Sequence, residues 1–135
     1  MKDDFGMTDI GEALAAYLDA LGHGEWKNAD PTLNTIFLDE FHDQPDNQIM
    51  IRGAGGMGPI VSTDGVTARP QYQIYVRNTS KATARATAET IRLALALQKG
   101  VIRQVIHTLD DHPIYSRKDE MNRYIFILRF QIFGN

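Results

Sequence analysis

The stretch PQYQIYVRNTSKATARATAETIRLALALQ, Pro70 to Gln98, decides the fold, because a strand runs straight into a long helix. Tyr72, Ile74 and Val76 alternate with Gln71, Gln73, Tyr75 and Arg77, the period of two of a strand with one covered and one polar face. Thr79 and Ser80 then offer a hydroxyl cap, and the alanine-rich run predicts a helix to about Gln98. Nothing in this joint has a catalytic pattern. It is a scaffold that presents surfaces, so function is sought in assembly before chemistry.

The helix shows which surfaces it must meet. Lys81, Arg85, Glu89, Arg92 and Lys99 fall in a narrow arc. Ala84, Ala88, Ile91 and Leu95 flank that arc on one side, and Ala82, Ala86, Leu93 and Leu97 on the other. A helix apolar or neutral over most of its circumference needs more cover than one sheet face provides. The first helix or a neighbouring subunit supplies the rest.

Outward from the joint, Ile10, Leu14, Tyr17, Leu18 and Leu21 form a helical stripe closed by Gly22, predicting a helix over 8–21 behind a loose end at 1–7. Pro31 closes a loop carrying Trp26, a residue that suits a satellite core contact better than a partner anchor. TLNTIFLDEF (32–41) reads as a strand, HDQPDN (42–47) as a turn and QIMIR (48–52) as a second strand. GAGGMGP (53–59) is the least structured stretch, and 53–69 reads as a flexible loop or arm with room for a short strand. Beyond the long helix, Gly100 is a stop and VIRQVIHTL (101–109) a strand. Ile114 and Tyr115 pair briefly, and SRKDEMN (116–122) is a polar turn. RYIFILRFQIF (123–133) is the strongest strand, apolar on both faces. The expected fold is therefore one α+β domain over 1–135, ordered α-β-β-(β)-α-β-β. It holds one mainly antiparallel or mixed sheet of about five strands with two helices packed on it. The helix and the last strand together carry more apolar and neutral surface than a lone subunit is expected to hide.

Composition narrows function. At 135 residues with 43% hydrophobic and 23% charged side chains, the chain has ordinary globular composition and enough length for a real core. A net charge of -3, with lysine and arginine spread thinly, gives no general attraction for nucleic-acid phosphates. The absence of cysteine excludes disulfide and thiolate chemistry. No apolar run is long enough to cross a bilayer, and the first residues lack the apolar core of a signal peptide, so a soluble, unsecreted protein is expected.

Each candidate site has a plainer rival. Clustered glycines in RGAGGMGP can cradle phosphate through backbone N–H groups. Here no Lys-Ser or Lys-Thr follows and no helix begins, so a loop that orders against a partner is the preferred reading. His42 with Asp39, Glu40, Asp43 and Asp46 suits a hard cation or, more simply, a solvated acidic turn. No G-x-S-x-G elbow is present, and the paired acids Asp39–Glu40 and Asp110–Asp111 diverge in extended chain. No catalytic, cofactor or metal residue is therefore assigned. The candidate interface residues are Gly53, Gly55, Gly56, Met57, Arg77, Arg85, Arg92, Arg117, Asp119 and Arg123.

The series PDNQIMIRG, RPQYQIYVRNTSKATARATAETIRLAL and IYSRKDEMNRYIFILRFQIF resembles the minor capsid or tail terminator proteins of long-tailed bacteriophages, prophage-encoded members included. The shared features are the Pro45-Asp46-Asn47 turn, the strand to Arg77 with its helix, and the Asp119…Arg123 turn into an aromatic strand. The resemblance implies a virion protein of tail or neck, made in the host cytoplasm, without enzyme activity or cofactor. It implies a homo-oligomeric ring, typically hexameric, that caps the tail tube and meets the head-proximal connector. It implies no membrane partner and no sequence-specific nucleic acid, although DNA passes through such a ring. A different neck or head–tail connector protein is the near alternative, and a small-ligand or phosphate-binding enzyme using Gly53–Gly58 the distant one.

Overall fold

The computed structural model describes residues 9–56, 60–62, 65–67, 70–96 and 105–133. Helix α1 spans Asp9–Ala20, a 3-10 turn Pro31–Leu33, and strands β1 and β2 Ile36–Leu38 and Gln48–Gly56. Two short strands, β3 Ile60–Ser62 and β4 Gly65–Thr67, pair with each other. Strand β5 spans Pro70–Asn78 and helix α2 Lys81–Leu95. Strands β6 Val105–Thr108, β7 Ile114–Lys118 and β8 Tyr124–Phe133 complete the order.

The joint forms as its sequence dictates. The Ser80 hydroxyl accepts from the Thr83 N–H at 3.2 Å, filling the first of the helix's free donors. The main sheet has six strands in the order β1-β2-β5-β8-β6, with β7 also on β8. β6 lies along Phe130–Phe133 and β7 along Tyr124–Ile127, so the two share one edge. Only β1 and β2 run parallel; the other pairs in this sheet are antiparallel.

Both helices pack on one face. Ile10, Leu14, Ala15 and Leu18 of α1 and Ala84, Ala88, Ile91 and Leu95 of α2 share a core with the sheet's Ile36, Ile49, Ile51, Ile74, Val76, Phe126, Leu128 and Phe130. Gly22, at φ +85°, ends the α1 segment in the left-handed conformation that glycine adopts without strain. Trp26 packs against the rim of this core, and its backbone N–H donates to Asp19 Oδ2 at 3.1 Å.

Four details depart from the sequence expectation. The strand expected over 32–41 shrinks to β1. Asp30 accepts from both the N–H and the hydroxyl of Thr32, which winds Pro31–Leu33 into a 3-10 turn, and Asp39 takes φ +73° just after the strand. The glycine stretch instead begins inside β2: Gly53 pairs with Tyr72 and Gly56 with Pro70 across a bulge, with Gly55 at φ +80°. Glycine permits that bulge at no steric cost. β7 runs on to Lys118 because Arg117 and Lys118 find ladder partners in Ile125 and Tyr124. Finally, β8 hides its apolar side chains within the subunit. Ile125, Phe126, Leu128, Phe130 and Ile132 are each at most 2% exposed and Tyr124 and Ile127 are half-buried, so these side chains leave little of the surplus surface expected of this strand. The reason is position: β8 lies inside the sheet, under α2 on one face. The expected helix end and Gly100 lie outside the described residues.

Candidate assembly surfaces and the arginine-held loop

Arg77 on β5 and Arg123 at the start of β8 are buried, 3% and 6% exposed. Both side chains organise the segment 39–47, which crosses the sheet face away from the helices. Arg77 donates to the carbonyls of His42 at 2.7 Å, Pro45 at 2.8 Å and Asp46 at 2.9 Å. Arg123 donates to the Asp43 carbonyl at 2.7 Å and to Asp119 Oδ2 at 2.8 Å. Gln48, 2% exposed, adds both halves of its amide: its NH2 donates to the His42 and Pro45 carbonyls, and its oxygen accepts from the His42 N–H. The Phe41 ring lies 4.7 Å from the Arg77 guanidinium, and the Phe37 and His42 rings stack at 3.9 Å. Among the described residues no three His, Asp or Glu side chains converge to hold a metal.

Electrostatics fit this account. Burial pulls the Arg77 guanidinium below its ordinary value and the nearby Arg123 charge adds to this, while Asp119, Asp46 and Asp43 oppose them. Burial alone pushes Asp119 up, but hydrogen bonds from the Arg123 N–H, its guanidinium and the Met121 N–H outweigh it and hold the carboxyl below the ordinary aspartate value. A depressed carboxylate stabilises the fold above its unfolded ionisation and loses that contribution as pH falls through the folded one. Between about pH 5 and pH 2, the wild type is therefore expected to lose more stability than Asp119→Asn. Denaturant midpoints of both proteins across that range check this; parallel declines would refute it.

The second surface is the outer side of α2. Leu93 is 59% exposed, and Ala82 and Ala86 are exposed beside it. A groove of about 440 Å³ runs between Ala82, Arg85, Ala86 and Glu89 on α2 and His112–Pro113 in the β6–β7 connection. Arg92 is tied to Glu89 by a bidentate pair at 2.7 and 3.0 Å. Arg85 lies over the Phe126 ring at 5.3 Å and Lys81 over Tyr115 at 4.5 Å.

The candidate residues therefore divide. Arg77, Asp119 and Arg123 come together, with exposed Arg117 beside them on the rim of a groove of about 360 Å³. Arg85 and Arg92 stand apart on α2. Gly53, Gly55 and Gly56 lie at the far end of β2, and Met57 is outside the described residues. Of the glycines in the phosphate-cradle alternative, Gly53 and Gly56 sit within the pairing of β2 with β5, and Gly58 lies outside the described residues. Sequence reasoning missed Gln48, whose polarity on a strand carried no distinguishing signal. It also missed a signal that was present. Residues 9–47 carry nine acids against the single lysine Lys27, whereas residues 48–135 carry twelve lysines and arginines against six acids.

Comparison with known proteins gives the context for these surfaces. No curated protein sequence matches the chain. Among solved structures, a chain from the virion of a native gene transfer agent particle shares the fold, with 18% identity and a TM-score of 0.59, over 92% of this chain and 94% of that one. The family described as bacteriophage tail terminator protein matches residues 17–133, which takes in both sheet edges, the arginine-held loop and all of α2. The chain belongs to the bacteriophage tail terminator family.

Proposed function

We propose that copies of this chain assemble into a closed ring that ends the tail tube and joins it to the head-proximal connector, without enzymatic chemistry. The family match over 17–133 carries this reading. The exposed Leu93 side of α2 supports it, because a helix so long, left bare along one side, presents surface suited to another protein. Ring contacts are heterologous, so each subunit offers two different matching surfaces. The net negative charge suits a channel through which DNA passes without sticking.

Size-exclusion chromatography with light scattering, and electron microscopy of isolated tail tubes mixed with the protein, test the proposal together. The expected result is a discrete oligomer, or tubes capped at one end. A protein that stays monomeric at high concentration and leaves tail tubes bare would overturn it.

A further inference from the structure

The exposed large hydrophobic side chains fall at opposite ends of the sheet. Leu21 and Leu33, 44% and 53% exposed, flank β1 at one end. Leu93, Leu109, Ile114, Tyr115 and Met121 gather around α2, β7 and the β7–β8 turn at the other. Four strand spacings separate β1 from β7, roughly 19 Å at about 4.8 Å each, so the two patches lie on opposite edges of the sheet.

Charge divides the same way. The β1 edge carries exposed Glu25, Asp39 and Glu40 against exposed Lys27; the Glu25 carbonyl accepts from the N–H groups of Thr35 and Ile36, which fixes that residue beside the strand. The far edge carries exposed Lys81, Arg85, Arg117 and Lys118 against exposed Asp111 and Glu120, a balance that stays positive. β7 is exposed along its whole length and, among the described residues, pairs only with β8.

Resting on the ring reading, we infer that the ring contact is edge to edge: the acidic β1 edge of one copy docks on the basic β7–α2 edge of the next. The occupant of the α2 groove is thus a second copy of this chain, with Leu33 as the apolar side chain at the acidic edge. The opposed charges set direction, since like edges repel, and a contact between unlike edges repeats head to tail until it closes. A contact of this kind weakens with salt, because the Debye length falls from about 8 Å at 0.15 M to about 3 Å at 1 M.

Charge reversal tests the pairing. Arg117→Glu with Lys118→Glu is expected to weaken self-association at least tenfold by sedimentation velocity, and Glu25→Lys with Glu40→Lys to do the same. An equimolar mixture of the two double variants is expected to associate, because the two unaltered edges still match and the two reversed edges match each other. All four sites are exposed, so melting temperatures should match the wild type; glutamine replacements serve wherever one does not. Variants that assemble normally would overturn the edge assignment and leave the ring reading standing. So would weakened variants whose mixture stays apart. A wild type that never assembles, alone or on tail tubes, would overturn both.

Discussion

Arg77→Ala is expected to lower stability by about 3 kcal/mol, because a charged donor's hydrogen bond contributes about 1.5–3 kcal/mol and three short ones are lost. The carbonyls of His42, Pro45 and Asp46 would lose their shared donor together, and the Phe41 ring its stacked partner. Exposure of the surrounding loop keeps the loss below a simple sum, since water can reach part of what Arg77 now satisfies. A drop of roughly 10 °C in melting temperature is the corresponding signal for a domain of this size. Arg77→Lys keeps the charge without the planar fork, so its loss should fall between. A melting point within about 3 °C of wild type for Arg77→Ala would show that the loop holds without its arginine.

Phe130→Ala should cost more, about 4 kcal/mol, by removing a ring that is 0% exposed from the common core of α1, α2 and the sheet. Phe130 stands between Tyr72 on β5 and Thr108 on β6, so the void opens at the centre of the sheet. Since domains of this kind are stable by about 5–15 kcal/mol, the variant would sit near the edge of folding. Urea unfolding measures the effect, with Leu93→Ala as contrast: that side chain is 59% exposed and its loss should leave the midpoint unchanged. A modest shift for Phe130→Ala would imply that the helices close over the gap.

The regular parts of this fold were legible because their residues repeat a period. Pro70–Asn78, Lys81–Leu95 and Tyr124–Phe133 each state their element through alternation or helical spacing, and Ser80 marks the cap. β1 was overread because Thr32–Phe41 has strand composition, while a single side chain, Asp30, winds its start into a turn. Glycines at 53–56 carry no strand pattern of their own. Ladder pairing with β5 draws them into β2, and pairing partners far along the chain leave no local trace.

The candidate site was only half legible. Arg77, Asp119 and Arg123 stand out in the sequence as interface candidates, but their spacing cannot reveal that they face inward and that the two arginines grip the segment 39–47. That arrangement depends on which strands become neighbours. The uneven distribution of charge along the chain was readable throughout, but it gained meaning only when the sheet order put β1 and β7 at opposite ends.

Sheet order also has a consequence for how the polypeptide is made. Although β8 follows every other strand in sequence, it is the one that bridges β5 to β6 and β7. While a ribosome is still building the protein, β5 therefore waits with a naked backbone rim, and β6 and β7 lack the strand they pair with. Nascent molecules on one messenger are most vulnerable to sticking to each other in that interval, and it ends only when translation delivers Tyr124–Phe133.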